Sequence, residues 1–332
     1  MKKLLRKKEF SIFLIIVFIS IVITVASPTF LRPDNLIDVL KGNVVLGIMA
    51  LGMLPVLISG GIDLSVTGTI ALSAVLCGKL MVTYGSNIWM VFLLAILIGA
   101  GIGFLDGIII AKLRIPPIVT TLGMQSVFVG IVLLYTNGDW ITNLPPWFKQ
   151  FGTFTVGVLP NGSGGTLGIP VQIVFLIAAG LITWFVLKYT LIGRGIYAIG
   201  GSRSSALRVG YNIDRIQVFI YMYCGVMAGI AGVLHTSIVQ QVDPNTFTGM
   251  ELNVIVAVVI GGASTVGGSG TVFGTFLGVI LMAVLENGMV LARIPTFWQK
   301  IVMGIIIVIA TSFDVINHKR EQNKLVRVDI EE

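Results

Sequence analysis

Long apolar segments with few charges follow one another along almost the whole 332-residue sequence. A segment of about 20 apolar residues spans the hydrocarbon core of a bilayer as an α-helix, because a helix satisfies its own backbone hydrogen bonds. The segments lie at 10–27, 43–59, 66–84, 88–111, 117–136, 169–187, 216–238, 251–264, 271–291 and 297–316. The sequence therefore predicts an all-α membrane protein with about ten transmembrane helices.

The composition excludes a water-soluble protein. Charged residues make up 11% of the sequence and hydrophobic residues 55%, whereas about 25% charge is usual in a soluble domain. The first apolar segment follows the basic stretch MKKLLRKK, as in a secretory signal peptide. The apolar run of residues 11–26 is long for such a peptide, and no clear cleavage pattern of small residues follows it. We therefore interpret it as the first transmembrane helix.

Lysine and arginine are distributed unevenly between the loops. If the N-terminus is cytoplasmic, most of the 22 Lys and Arg residues fall on the cytoplasmic side, in residues 1–8, 112–114, 188–215 and 319–327. The others are Arg32, Lys41, Lys79, Lys149, Arg293 and Lys300. Cytoplasmic loops of membrane proteins carry such an excess of basic residues. Both termini are therefore predicted to be cytoplasmic.

The longest loop on the outer side covers residues 137–168. It contains the proline pair Pro145-Pro146 and the turn-rich stretch NGSGGTLG, which predict that no regular helix forms there. Two interpretations stay open for this loop: a solvated connector, or a docking surface for a partner outside the cytoplasm.

An internal repeat is indicated by residues that match at an offset of 179 or 180 positions. The matches are Asp63 with Asp243, Asp106 with Glu286, and the Arg-Ile-Pro triplet at 114–116 with the one at 293–295. By the span count, helices 2–5 and 7–10 form two units that enter the membrane from opposite sides. Transporters use such inverted repeats to build a substrate path near the bilayer midplane. The alternative is that Ile-Pro simply starts two helices, since proline suits a first helical turn.

Four carboxylates within or beside the spans are candidates for the substrate pathway: Asp63, Asp106, Glu251 and Glu286. A charge inside a span costs about 2.5–3.5 kcal/mol on insertion scales, which makes such residues functional candidates. Asp63 lies in a break, GGIDLS, that is tolerated where protein covers it or where it lines a cavity. The alternative is that Asp63 or Ser65 caps the third helix. For Asp106 and Glu286, a structural hydrogen-bonding role is equally open.

No catalytic or metal-binding group is predicted. The two cysteines and two histidines lack metal-ligand spacing. His235 is interpreted as an interior histidine, with a proton relay as the alternative. The glycine-rich segment 260–271 lacks the lysine that a P-loop needs to bind phosphate. The chain is therefore expected to bind no cofactor and no nucleic acid, and any ATP would be used by another chain.

The largest cytoplasmic segment, residues 188–219, is basic and rich in small residues. Residues 198–210 are predicted to form a short helix along the membrane surface. The alternative role for this segment is anchoring to anionic lipid headgroups.

Several segments carry a resemblance to a known family. They are ISGGIDLSV (58–66), RIPPIVTTLG (114–123), GRGIYAIGG (193–201), VVIGGASTVGGSGTVFGTFLG (258–278) and RIPTFWQKIVMG (293–304). In this order they resemble the recurring blocks of bacterial ABC-transporter permeases for monosaccharides, the group that takes up ribose, xylose, rhamnose and autoinducer 2. The resemblance covers residues 30–316 approximately, although SRSS at 202–205 departs from the usual Asn-x-x-Ala pattern.

The resemblance implies a ten-helix permease in a bacterial plasma membrane, with a permease domain at 1–316 and a cytoplasmic tail at 317–332. Two copies, or two related permeases, would form the pathway for a monosaccharide or similar solute. Cytoplasmic ATPase subunits would dock on the loop that contains Gly200, Gly201, Ala206 and Gly210, and an extracytoplasmic binding protein would deliver the substrate. The alternative is a secondary sugar transporter driven by an ion gradient, for which an inverted repeat is also suitable.

Overall fold

The computed structural model describes residues 8–160, 166–306, 308, 309 and 312. Its helices are α1 (Lys8–Ala26), α2 (Pro33–Gly42), α3 (Val44–Ile58), α4 (Val66–Tyr84), α5 (Ile88–Leu113), α6 (Pro117–Thr136), α7 (Pro146–Thr153), α8 (Val171–Tyr189), α9 (Leu191–Gly201), α10 (Arg203–Arg208), α11 (Ile213–Val239), α12 (Met250–Ile260) and α13 (Val272–Leu291). A further helical stretch covers 296–306. The predicted tail 317–332 and most of 307–316 lie outside the described residues.

The architecture is that of an all-α membrane protein, as predicted. Among the described residues, seven helices are long and apolar enough to span a bilayer, and α2 with α3 forms an eighth candidate bent by 47°. The eighth predicted span is wrong in its extent, because α12 has 11 residues and ends at Ile260. At about 1.5 Å per residue it reaches only half of the roughly 30 Å hydrocarbon core. The count of ten spans stays a prediction.

Two short helices were not expected from the sequence. α2 begins with Pro33 in its first turn, has Asp34 beside it and carries Lys41 in its last turn. These charges complement the helix dipole. In the outer loop, the prediction of no regular helix is wrong, because α7 begins at the proline pair. Proline lacks a donor that the first turn would leave unpaired, so the pair starts this helix instead of preventing it.

The rest of the outer loop includes a small antiparallel hairpin, β1 (Thr155–Pro160) with β2 (Thr166–Pro170). Residues 161–165, within the predicted turn-rich stretch, lie outside the described residues. α7 is fixed to the bundle by fully buried Phe148. The Gln172 side chain also donates to the Gly152 carbonyl at 2.9 Å. The described part of the loop therefore packs as a cap on this end of the bundle.

α3 is the central helix, and all of its residues are buried. Next to it, α5 crosses α11 antiparallel, because Gly99, Gly103 and Gly107 meet successively earlier residues of α11. A Cβ on any of these three glycines would collide with the α11 backbone. Small residues every fourth position let two membrane helices approach this closely.

The contacts also give the relative directions of the helices. α4 and α6 run parallel to α11, whereas α3, α5 and α8 run the opposite way. α1 runs parallel to α13, and α12 runs antiparallel to α13. The directions alternate along the chain, in agreement with the predicted order of spans.

The segment between α8 and α11 forms two helices, α9 and α10, so the single helix predicted at 198–210 is wrong. Ser202 interrupts it with an extended backbone conformation (φ −162°, ψ 110°). The Ser202 hydroxyl instead caps α10 by accepting from the Ser205 amide at 3.3 Å. Serine favours such a capping position over a helix interior.

Candidate functional site

One end of the bundle is rich in arginine, and we call it the basic face. It contains the end of α3, the α5–α6 turn, α9, α10, the start of α11 and the α12–α13 turn. Its arginines are all exposed: Arg114, Arg194, Arg203, Arg208 and Arg215. Beside this face, the Lys188 ammonium group lies over the Trp184 ring, 4.9 Å from its centroid. Such aromatic and basic pairs are typical of helix ends at a membrane interface.

Asp63 and Asp106 form a buried carboxylate pair near the basic face. Ser65 Oγ lies 2.6 Å from Asp63 Oδ1 and 2.7 Å from Asp106 Oδ2, so one hydroxyl bridges the two side chains. All three residues are at most 2% exposed. The pair connects the break after α3 to the C-terminal half of α5, which lies toward the basic face. Two of the four predicted pathway carboxylates are thus brought together.

The structure agrees only in part with the alternative role of Asp63, that of a helix cap. Asp63 Oδ1 accepts from the Ser65 amide at 2.9 Å, which closes a turn before α4. The N-cap residue of α4 is Ser65, and neither residue's side chain accepts from an amide of the first helical turn. Asp63 therefore shapes the break and does not cap the helix. Ser65 was a capping candidate in the sequence, but its bridge to Asp106 was not predicted.

A cavity of about 470 Å³ opens at the basic face and reaches Gly61, two residues before Asp63, although neither carboxylate lines it. Its lining includes Arg114 and Arg203 near the opening and Tyr221 and Gly61 at depth. The Tyr221 hydroxyl and Asp106 Oδ1 are buried and have no hydrogen-bond partner within the described part of the chain. Buried polar groups without partners are uncommon in proteins.

The other two predicted carboxylates lie toward the opposite end of the bundle. Glu251 is in the first turn of α12, and its Oε2 is buried without a partner among described residues. Glu286 is partly buried on α13, next to Asn287, which exchanges two hydrogen bonds with Asn35 of α2 at 3.0 and 3.1 Å. Because α5 and α13 run in opposite directions, Asp106 and Glu286 are not brought together. Their part in a substrate pathway stays a prediction.

The two glycine-rich segments and the basic loop meet at the end of α3. We call Gly60, Gly200, Gly267 and Gly268 the glycine junction. The Gly268 amide donates to the Ile58 carbonyl at 2.8 Å, and the Tyr197 hydroxyl donates to the Gly270 carbonyl at 2.8 Å. Gly60, Gly267 and Gly268 have positive φ angles of 83°, 102° and 80°, which glycine adopts without steric cost. The junction thus joins α9 to both breaks in the bundle.

The four loop residues that the family resemblance singled out face different ways. A Cβ on Gly200 would collide with the Ile58 carbonyl, and Ala206 is buried against its own chain. Gly201 and Gly210 are exposed with open space around them. The outward surface available to a partner therefore includes Gly201 and Gly210, whereas Gly200 and Ala206 position the loop. Binding of an ATPase at this loop stays a prediction.

Local geometry agrees with the register of the predicted repeat. Asp243 accepts from the Asn245 amide at 2.9 Å, which is the same turn that Asp63 makes with Ser65. Arg114 and Arg293 both have a φ of 56° just before an Ile-Pro pair. His235 packs against Phe247 with ring centroids 4.6 Å apart, as an interior histidine does. The repeat itself and the relay role of His235 stay predictions.

Comparison with known proteins places the chain in a transport family. The family model described as "Branched-chain amino acid transport system / permease component" matches residues 35–311. The chain is 37% identical over 302 residues to the ribose import permease protein of Bacillus subtilis (strain 168), with 91% of each chain covered. It is 32% identical over 308 residues to the autoinducer 2 import system permease protein of Enterobacter sp. (strain 638), covering 92% of this chain and 86% of the relative.

A third relative is the L-arabinose ABC transporter permease protein of Azospirillum brasilense, 32% identical over 314 residues with 95% of this chain and 88% of the relative covered. No solved structure matches the chain. The family match covers most of the chain, and seven of the described helices are long and apolar enough to span a membrane. The chain therefore belongs to the permease-component family of ABC import systems.

Proposed function

We propose that this chain is the membrane-spanning subunit of an ATP-driven importer and forms the pathway for a monosaccharide or a similar sugar-like solute. The observation that carries the proposal is the similarity, over nine-tenths of the chain, to an import permease named for ribose. Relatives named for arabinose and autoinducer 2 support the same class of solute. The family description names branched-chain amino acids, so membership alone does not choose between the two substrates.

The lining of a groove between α4, α6 and the segment before α12 favours a sugar over an amino acid as the substrate. It has a volume of about 140 Å³ and is lined by Thr67, Gln125, Ser126, Phe247 and Thr248, among others. The lining offers hydroxyl and amide groups beside an aromatic ring, but no charged side chain. Neutral hydrogen-bonding groups suit a polyol, whereas a zwitterionic amino acid needs partners for its two charges.

The basic face suits an energy-coupling role, and we assign it to the cytoplasm by its arginines. In this proposal, cytoplasmic ATPase subunits dock on the outer surface of α9 and α10. The bonds from α9 to the glycine junction would carry movement of the loop to α3 and to the α12–α13 turn. Both termini then lie in the cytoplasm.

The other partners follow from the same assignment. An extracytoplasmic solute-binding protein would dock on the opposite end, where α7 and the hairpin form an ordered cap. A second copy or a related permease would complete the pathway, and membrane lipid would surround the exposed apolar helices.

The test is reconstitution of the chain in liposomes, with and without the ATPase and binding protein that co-purify with it. The proposal predicts monosaccharide uptake that requires ATP and both partners, with leucine as the control solute. Uptake by the chain alone, driven by a proton or sodium gradient, would instead support a secondary transporter. Uptake of leucine in preference to sugar would contradict the substrate class.

A further inference from the structure

We propose that Asp106 is a proton-binding site. Its carboxyl group stays protonated at neutral pH and donates a hydrogen bond to Ser65 Oγ, which in turn donates a hydrogen bond to the ionised carboxylate of Asp63. The inference concerns the buried pair itself and does not depend on the proposed substrate or on the energy source.

Ser65 has too few hydrogen atoms to donate to both carboxyl groups. A serine hydroxyl carries one hydrogen and can therefore donate only one hydrogen bond. Ser65 Oγ nevertheless lies within hydrogen-bonding distance of two carboxyl oxygens, at 2.6 and 2.7 Å. With both carboxyls ionised, one of these short contacts would place two lone pairs against each other. A proton on one carboxyl satisfies both contacts.

The surroundings decide which carboxyl holds the proton. Asp63 accepts from the Ser65 hydroxyl and from the Ser65 amide. Several donors stabilise an ionised carboxylate. Asp106 has no such donors: its Oδ1 is buried without a partner among the described residues, and its Oδ2 faces Ser65 alone. A neutral acid suits these surroundings, because its hydroxyl donates and its other oxygen carries no full charge.

The groups packed around the pair supply no compensating positive charge. The titratable groups that face it are Tyr221 and Cys224 of α11, which carry no positive charge in any protonation state. α4 contributes Ser65, and α6 contributes the neutral side chain of Thr121 near Ile62. Within the described residues, no lysine or arginine interacts with either carboxyl. Two buried like charges with no counter-ion would be strongly unfavourable.

The proton has a mechanical consequence. It holds Asp106 of α5 to the segment that follows Gly60 and Gly61, and Gly60 belongs to the glycine junction. Loss of the proton would break the bridge on the Asp106 side and loosen the break between α3 and α4. The bridge is therefore a pH-sensitive hydrogen-bonded contact between α5 and the segment next to the glycine junction.

Infrared spectroscopy of the purified full chain, labelled with 13C-carboxyl aspartate, tests the proposal directly. We expect a C=O band of a protonated aspartic acid at neutral pH, which moves on transfer to D2O. Asp106→Asn should remove this band, whereas the control Glu286→Gln should leave it unchanged. Ser65→Ala should shift the band, because the acid loses its acceptor. The absence of a protonated-aspartate band from wild type, or its persistence in Asp106→Asn, would overturn the proposal.

The pH dependence of unfolding of wild type and Asp106→Asn gives a second measurement. The folded chain holds a proton that an unfolded aspartate, with an ordinary pKa near 3.9, would have lost. Stability should therefore fall as pH rises from about 4 to the pH at which Asp106 loses its proton in the folded chain, by up to tenfold in the unfolding equilibrium per pH unit, and should level off above that pH. Asp106→Asn keeps a donor at all pH values and should remove this part of the decline. An equal decline of stability with pH in wild type and Asp106→Asn would contradict a bound proton. Stabilisation of the wild type by sodium, together with loss of the infrared band, would contradict it as well.

Discussion

Replacing Gly200 by valine should destabilise the chain far more than the same change at its neighbour Gly201. A Cβ at position 200 would collide with the Ile58 carbonyl oxygen, so α9 would have to move away from α3. Overpacking of this kind costs about 1–3 kcal/mol. The movement would also weaken the Gly268–Ile58 and Tyr197–Gly270 hydrogen bonds, each worth roughly 1 kcal/mol. The expected loss of stability is therefore about 3–5 kcal/mol.

The assay is thermal unfolding of the two detergent-purified variants and wild type, followed by intrinsic tryptophan fluorescence. Gly201→Val is the matched control, because Gly201 is exposed and a Cβ there meets nothing within 4 Å. We expect Gly201→Val to unfold near the wild-type temperature and Gly200→Val to unfold well below it. Equal melting temperatures for the two variants would refute the close contact between α9 and α3.

Three further predictions concern substrate binding, topology and packing. Gln125→Leu should raise the KM for sugar uptake by about 2- to 10-fold through loss of one neutral hydrogen bond, with ATP hydrolysis in the absence of sugar unchanged; an unaltered KM would exclude the groove from the pathway. A membrane-impermeant maleimide applied to intact cells should label Gln150→Cys, on the outer side, and not Ser204→Cys, on the cytoplasmic side. The native cysteines are both buried and should give no background labelling; the reverse pattern would invert the topology. Asn35→Ala and Asn287→Ala should each cost roughly 1 kcal/mol, and the double variant should cost little more than either; full additivity would show that the two amides do not interact.

The bounds of several spans could be predicted because local signals mark both of their ends. α4 and α6 occupy the predicted ranges 66–84 and 117–136. α4 follows an Asp-x-Ser turn and ends before a left-handed Gly85, and α6 begins at a proline. Apolar length then decides that these segments are helices in a bilayer.

The short helices and the end of α12 could not be predicted from apolar length. α2 and α7 are too short and too polar to span a bilayer, and their signal is a proline in the first turn. At α7 the proline pair was instead taken to prevent a helix. α12 ends early because a turn closes after it: the Gly261 amide donates to the Ala257 carbonyl and the Gly262 amide donates to the Val259 carbonyl. That turn depends on glycine at a positive φ, which an apolar run does not reveal.

The candidate site was predicted in its residues but not in its contacts. Asp63 and Asp106 were identified by the cost of a charge in the bilayer, yet their bridge depends on a hydrogen bond between Ser65 and Asp106, which are 41 positions apart. The contact exists because α4 and α5 both pack on α11, a tertiary arrangement that no local pattern encodes. The same holds for Gly200, whose neighbour Ile58 lies on a separate helix.

ATP-dependent uptake of a radiolabelled monosaccharide by proteoliposomes tests the central claim most directly. The proteoliposomes should contain this chain with its co-purifying ATPase inside and binding protein outside. The account predicts uptake that stops when ATP is replaced by a non-hydrolysable analogue and that is unaffected by collapse of the proton and sodium gradients. Uptake that continues without ATP hydrolysis but stops when either ion gradient is collapsed would contradict it.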